Sequence, residues 1–210
     1  MNSVFRGLVN IIRSALTAAI TGLILASLTA CAPQDPRYGP LSDGGHRLPP
    51  IPSSKLDSSY LRQSVSYSSD HKAGTVVVNT KERFLYLVQG NGKAIRYGIA
   101  VGAEGMAWRG TATVAQKRHW PRWTPPADMI RRDPHLAQYS RGIEPSVANP
   151  LGARALYLSN GKGDTGYRIH GTPEWTSIGR AKSSGCIRLI NQDVIDLYDR
   201  VPMGATVVVL

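Results

Sequence analysis

The sequence predicts a mainly β fold, a β-rich α+β domain in which mixed strands form a sandwich-like core beside one or two helices. Short segments rich in Val, Ile, Thr and Tyr, separated by turn residues, recur from residue 74 onward. The Asn91-Gly92 pair between two of them is a strong hairpin signal. One segment of this region, 191–201, has apolar residues at helical spacing, so the strand-helix alternation of a parallel sheet is missing.

Eight strands are expected, at residues 75–80, 84–88, 94–101, 111–116, 155–159, 167–170, 186–189 and 206–210. The helix over 191–201 has Asn191 as its expected N-cap and Asp193 in its first turn. Residues 117–151 have no clean period, and a connection of this length in a compact domain is usually a functional loop or lid. A short helix over 126–131 is expected within it, because proline is favoured at a helix start.

Residues 1–30 have the three regions of an export signal: two arginines, then an uncharged run, then Leu28-Thr29-Ala30-Cys31. Hydroxyl residues dilute the run, which argues against a retained transmembrane helix. The tetrapeptide resembles the lipobox of bacterial lipoproteins, which implies cleavage and lipidation at Cys31. Ala32 stands where an aspartate would signal retention in the inner membrane, so the resemblance implies the outer membrane. Cleavage without lipid and an uncleaved anchor are the alternatives.

Residues 31–73 are rich in proline, serine and glycine and lack sustained apolar periodicity. They are expected to form a mostly disordered, flexible tether. Some forty flexible residues reach roughly 35 Å, and the prolines lengthen that distance. Whether 56–65 belongs instead to the N-terminal edge of the folded domain, which is expected at 74–210, is left open.

The chain carries a formal net charge of +11, and a basic surface implies an anionic partner. Nucleic acid, anionic lipid and an acidic wall polymer all fit, and the export signal argues against nucleic acid. The sequence has two cysteines, so lipidation of Cys31 would leave Cys186 with no intramolecular disulfide partner. A thiol kept in an oxidising compartment is better explained by reactivity than by packing, although a buried structural thiol is the alternative.

A histidine and a cysteine among glycines form the candidate catalytic site. His170 closes one expected strand and Cys186 opens another, so the two side chains can lie on neighbouring strands. A neighbouring imidazolium would lower the pKa of the thiol, and the thiolate is the nucleophile in acyl transfer. The backbone amides at Gly185 and Cys186 can meet a developing oxyanion, and the carbonyl of Gly171 is the expected group that orients the imidazole. A core histidine and a structural thiol are the alternative.

The segments Ile169-His170-Gly171-Thr172 and Ser183-x-Gly185-Cys186-Ile187-Arg188-Leu189, with the closing 204–209, resemble the L,D-transpeptidase catalytic domain of bacterial peptidoglycan cross-linking enzymes. The resemblance covers roughly 74–210. It implies that Cys186 is the nucleophile, that His170 is the general base and acid, and that Arg188 faces substrate. Ser184 departs from the family pattern, which commonly has a histidine there, and Ala107-Trp108-Arg109-Gly110 replaces its Thr-Pro-x-Gly turn. The predicted substrate contacts are Arg188, Ser184, Ser183 and Trp108.

The expected function is cysteine-dependent acyl transfer on peptidoglycan stem peptides by a periplasmic, lipid-anchored enzyme. Acceptors would be other stem peptides, giving 3-3 cross-links, or outer-membrane proteins. A wall-binding lipoprotein without turnover and an L,D-carboxypeptidase or endopeptidase are the alternatives. The resemblance implies no cofactor, and no metal is expected, because His119, His135 and Cys186 lack ligand spacing. The sequence does not indicate an oligomeric state.

Overall fold

The computed structural model describes residues 34–102, 109–183 and 185–210, with the backbone alone at 182 and 183. The strands in these ranges are β1 (Leu41–Asp43), β2 (His46–Leu48), β3 (Gln63–Ser66), β4 (Val76–Asn79), β5 (Phe84–Gly90), β6 (Lys93–Gly98), β7 (Val101–Gly102), β8 (Gly110–His119), β9 (Arg154–Asn160), β10 (Gly163–Thr172), β11 (Ala181–Ser183), β12 (Ile187–Ile190) and β13 (Thr206–Val209). The α-helices there are α1 (Ala127–Arg132) and α2 (Asn191–Arg200). Short 3-10 helices lie at Pro36–Tyr38, Ser53–Lys55, Ser58–Tyr60, Pro134–Tyr139 and Trp175–Ser177.

Nine strands form one mixed sheet in the order β12-β10-β9-β8-β13-β4-β5-β6-β3. Two of its pairings, β10 with β12 and β13 with β4, are parallel, and the others are antiparallel. Two small pairs, β1 with β2 and β7 with β11, lie outside it. The predicted fold class, mostly β with few helices, is confirmed.

The large sheet wraps around one core, and this gives the fold its sandwich-like character. Ala100, which follows β6, exchanges two backbone hydrogen bonds of 2.9 Å with Arg188 of β12, at the opposite end of the strand order. Side chains from both halves of the sheet share one buried cluster with helix α2. Its fully buried members include Val76, Leu85, Ile99, Leu156, Ile169, Leu189 and Leu197.

The eight predicted strands are present, and four of them, β5, β8, β9 and β10, are longer than predicted. The 94–101 strand is divided into β6 and β7, and β10 continues two residues past His170. At the predicted hairpin, Asn91 and Gly92 both have positive φ, 51° and 68°, as a two-residue type I′ turn requires. The predicted N-cap is wrong: Asn191 is the first helical residue, and its side chain bonds to Ala153 and Thr172. The short helix in 117–151 is α1, shifted by one residue.

The prediction of a disordered tether is wrong for residues 34–73, because they fold onto the domain. Tyr38, Leu48 and Ile51 are buried, and β3 pairs with β6 as the last strand of the large sheet. A few apolar side chains, too sparse to form a periodic pattern, reach distant parts of the core. The N-terminal edge that was left open at 56–65 therefore exists, as the 3-10 turn Ser58–Tyr60 and β3. Residues 1–33, with the predicted signal and Cys31, lie outside the described residues.

Candidate active site

His170 and Cys186 are brought together by the parallel pair β10 and β12. Ile169 lies opposite Ile187 and His170 opposite Arg188. Side chains alternate along a strand, so His170 and Arg188 lie on one face, and Cys186, two residues before Arg188, extends that face. The predicted side-by-side arrangement of the two strands is confirmed.

The imidazole of His170 is buried, with 3% of the residue exposed. Its Nδ1 lies 2.6 Å from the carbonyl oxygen of Gly171, so Nδ1–H donates to that oxygen and Nε2 is left as the acceptor. This contact with the Gly171 carbonyl is the one predicted from the sequence. Burial lowers the pKa of His170 to about 4, the Gly171 hydrogen bond opposes the shift, and the charges of Arg188 and Arg168 add to it. The imidazole is therefore neutral near pH 7.

The thiol of Cys186 is partly buried. Burial raises its pKa, while a backbone hydrogen bond from Arg168 and the charges of Arg168 and Arg188 act in the opposite direction. The resting site thus holds a neutral thiol beside a neutral imidazole. This corrects the expectation of an imidazolium that lowers the pKa of the thiol: burial disfavours the charged form of both groups.

Two arginines flank the pair. The Arg188 side chain is 21% exposed, and its Nη1 lies 3.5 Å from a carboxylate oxygen of Glu174. Its buried Nε has no hydrogen-bond partner among the described residues. Arg168 forms two 2.7 Å hydrogen bonds to Asp164, which hold its guanidinium 4.4 Å from the ring centroid of Tyr157. Neither Arg168 nor Glu174 was identified from the sequence, since a lone charged residue carries no pattern.

Gly185 and Cys186 form one side of a cleft of about 290 Å³. Gly185 has φ 121°, a conformation that favours glycine, so the residue before the thiol is suited to glycine. Facing it are Thr165, Gly166 and Tyr167 of β10 and, from the predicted functional loop, Pro126, Asp128, Met129 and Arg132. Residues 126–132 of the region 117–151 thus form part of the wall of this cleft, and the role of the region as a lid stays a prediction.

Three of the predicted substrate contacts have no described side chain. Trp108 and Ser184 lie outside the described residues, and Ser183 is described by its backbone alone, paired with Gly102 at the end of β11. The contacts of Ser183, Ser184, Trp108 and Arg188 with substrate therefore stay predictions.

Within residues 34–102, 109–183 and 185–210, no group of three or more His, Cys, Asp or Glu side chains is placed to hold a metal ion. In the same ranges, no helix has the length and apolar character needed to cross a bilayer. A second cleft, of about 310 Å³, lies between residues 55–60 and 175–180 and contains none of the predicted site residues.

A buried histidine on one strand and a cysteine directly before the adjoining parallel strand define a candidate cysteine-dependent acyl-transfer domain. The family model described as the L,D-transpeptidase catalytic domain, YkuD, matches residues 73–209. The chain belongs to this family.

Named relatives agree with this membership. The probable L,D-transpeptidases YbiS and ErfK/SrfK of Escherichia coli are 35% and 32% identical over 144 and 141 residues, which cover 63% and 64% of this chain. The matched region is 43% of each relative, so the chain spans less than half of their length.

A solved structure from Brucella melitensis is 49% identical, with a TM-score of 0.52. The match covers 74% of this chain and 96% of the Brucella chain. It is described as a probable carnitine operon oxidoreductase, and that description concerns the Brucella protein alone.

Proposed function

We propose that this protein is an L,D-transpeptidase that transfers acyl groups from peptidoglycan stem peptides through a thioester on Cys186. Family membership supports peptidoglycan transpeptidation in general. The observation that carries the specific proposal is the His170 Nδ1–H to Gly171 contact of 2.6 Å, on the strand beside Cys186. It leaves Nε2 as a proton acceptor on the face that the thiol shares.

The first half-reaction forms the thioester. The sulfur of Cys186 attacks the carbonyl carbon of the amide between the third stem residue and its terminal D-Ala, and the thiol proton passes to Nε2 of His170. The backbone amides at Gly185 and Cys186 are the proposed oxyanion donors. When the tetrahedral intermediate collapses, the C–N bond breaks and His170 returns the proton to the leaving amine of D-Ala.

The second half-reaction releases the acyl group. An acceptor amine attacks the thioester carbonyl and its proton passes to His170. When the tetrahedral intermediate collapses, the C–S bond breaks and His170 returns that proton to the sulfur of Cys186. Because burial disfavours both ions at rest, the thiolate-imidazolium pair forms during attack rather than before it. How well the cleft wall around α1 excludes water decides whether the acyl group passes to an amine or to water.

We also propose that the signal at 1–30 is cleaved and that lipid on Cys31 anchors the protein to the periplasmic face of the outer membrane. Ala32 and Pro33 alone separate Cys31 from the folded residues that begin at Gln34. A lipid on Cys31 would therefore keep the domain near the membrane surface, in place of the long tether expected from composition. Stem peptides and outer-membrane proteins are the proposed acyl acceptors.

Intact-protein mass spectrometry with a carbapenem tests the nucleophile. The full chain is expected to gain the mass of one acyl adduct, and Cys186→Ala and His170→Gln are expected to gain none in the same time. His119→Gln is the matched control, because His119 is exposed and stacks edge-on against Tyr198, 4.7 Å away between ring centroids. An unmodified wild-type mass, or an adduct that persists in Cys186→Ala, contradicts the proposal.

Digestion of sacculi with the full chain tests the reaction. New 3-3 dimers support transfer, and their absence after an adduct has been shown contradicts it. Shortened monomers without dimers would assign the hydrolytic alternative. Binding to sacculi with an unchanged muropeptide profile would indicate a wall-binding lipoprotein without turnover. The basic net charge and Ser184 are the features that suggest this alternative.

A further inference from the structure

Asn191 joins two parts of the backbone at the base of the site. It is the first residue of α2, directly after β12, and 5% of it is exposed. Its Oδ1 accepts a hydrogen bond of 2.9 Å from the N–H of Ala153, and its Nδ2 donates one of 3.1 Å to the carbonyl of Thr172. One side chain thus ties the start of β9 to the end of β10.

The same side chain lies directly against Gly171. A Cβ built on Gly171 would lie 2.2 Å from Oδ1 of Asn191, and a Cβ built on Gly152 would lie at the same distance from it. That Gly152 Cβ would also come within 2.6 Å of the carbonyl carbon of Gly171. The backbone at Gly171 is therefore packed closely against both the Asn191 side chain and the backbone at Gly152.

We infer that Asn191 is a positioning residue, which holds the backbone at Gly171 and Thr172 so that the Gly171 carbonyl selects the Nδ1–H tautomer of His170 and directs Nε2 to the Cys186 thiol. The inference rests on the proposed function and identifies Asn191 as the residue that determines which ring nitrogen of His170 accepts the thiol proton. The tautomer of a neutral histidine is fixed by the hydrogen bond of its other ring nitrogen. If the carbonyl of Gly171 moves, both tautomers become accessible, and only one of them can accept the thiol proton.

Gln192 provides a matched control on the same turn of α2. It is also 5% exposed, and its Nε2 donates to the carbonyls of Gly39 and Pro49 at 3.2 and 3.1 Å. Gln192→Ala therefore loses two backbone contacts of similar length, but to the N-terminal segment instead of the histidine strand. Asn191→Ala loses both of its contacts, and Asn191→Asp keeps the acceptor for Ala153 while an ionised carboxylate cannot donate to Thr172.

The first test is nitrogen NMR of the full chain labelled with ¹⁵N-histidine, with His170→Gln to assign the signal among the five histidines. The wild type is expected to show a protonated Nδ1 and an unprotonated Nε2 on His170. Gln192→Ala should keep this pattern, whereas Asn191→Ala and Asn191→Asp should show a mixture of tautomers. A mixed or Nε2–H wild type overturns the inference, and so do Asn191 variants that keep the wild-type pattern.

The second test separates binding from chemistry in carbapenem acylation. The acylation rate constant at saturation is expected to fall at least about tenfold in Asn191→Ala, since misplacing a proton acceptor slows the chemical step. The affinity of the initial complex should stay within about twofold, because Asn191 is not among the residues that line the cleft at Cys186. If the Asn191 variants are acylated as fast as Gln192→Ala and have similar thermal unfolding midpoints, the inference is overturned and the proposed function is not affected. A wild type that forms no adduct contradicts the proposed function itself.

Discussion

The phenol oxygen of Tyr38 lies 3.1 Å from each carboxylate oxygen of Asp193, and both residues have no exposed surface. Tyr38 belongs to the N-terminal segment, and Asp193 to the first turn of the helix that begins at Asn191. Burial raises the pKa of Asp193 to about 7, although the charge of Arg62 and the Tyr38 hydroxyl act to lower it. The carboxyl at the centre of this contact therefore gains or loses its proton near neutral pH.

Asp193 and His170 are expected to give the fold opposite pH dependences. Between about pH 4 and 7 the folded state keeps a proton on Asp193 that the unfolded state has lost, so this contribution to the free energy of unfolding falls as pH rises. His170, with its pKa lowered to about 4, stays neutral in the folded state while the unfolded state takes up a proton below about pH 6.5. Its contribution therefore rises with pH over nearly the same window.

Urea unfolding of single variants separates these two contributions. Between pH 4.5 and 7, the change in the free energy of unfolding should be more positive in Asp193→Asn than in the wild type. The difference is expected to be on the order of 3 kcal/mol. His170→Gln should change the slope in the other direction, by a similar amount. Slopes unchanged from wild type in both variants would show that neither group has a shifted pKa in the folded state.

Tyr38→Phe tests whether the N-terminal segment is part of the cooperative fold. The variant removes the hydroxyl that reaches Asp193 and that accepts a 2.6 Å hydrogen bond from the backbone N–H of Arg62. Because the partners stay buried, the free energy of unfolding at pH 7 is expected to fall by about 1 to 3 kcal/mol. Tyr139→Phe is the control, since Tyr139 is 38% exposed, and it should change little. Equal stability of the two variants would indicate that the segment is detached in solution.

Strands β4, β5, β6 and β13 could be predicted because β-branched runs and the Asn91-Gly92 turn are local signals. The N-terminal segment could not, because its partners are remote in sequence. Asp43 receives two hydrogen bonds of 2.7 Å from the guanidinium of Arg154, 111 residues later, and a third from the indole of Trp120. A single aspartate in a proline-rich stretch gives no sign of such a contact before the chain is folded.

The same limit applies to the site. Spacing and glycine content predicted the neighbouring strands of His170 and Cys186 and the contact of His170 with the Gly171 carbonyl, and both are present. The charge state was predicted wrongly, because it depends on burial, which is a property of the packed chain. Asn191 was mistaken for a helix cap, since an asparagine before a helical pattern usually caps it. Its bonds to Thr172 and Ala153 arise only where the ends of β10 and β9 meet α2.

Gly171→Ala is expected to damage both stability and chemistry. The new Cβ would overlap Oδ1 of Asn191 and press on Cγ1 of Val194, 3.0 Å away, so the peptide beside His170 must shift. Such overpacking costs about 1 to 3 kcal/mol. Gly161→Ala is the control, because a Cβ there meets nothing within 4 Å. Urea unfolding and carbapenem acylation measure the two effects, and a Gly171→Ala variant as stable and as reactive as Gly161→Ala would contradict the close packing described.

The pH dependence of acylation should reveal the neutral imidazole directly. His170 accepts the thiol proton only when unprotonated, so the second-order acylation rate is expected to keep its neutral-pH value down to about pH 5 and to be halved near pH 4. An ordinary histidine would halve it near pH 6.5.

Removing a nearby cation favours the imidazolium, so Arg188→Met should move the midpoint of this pH dependence to higher pH, whatever it does to the rate itself. Arg118→Met, an exposed cation outside the cleft, should leave the midpoint in place. Near-ultraviolet circular dichroism at each pH confirms that the chain stays folded, and a wild-type midpoint near 6.5 in folded protein would contradict the buried, neutral histidine.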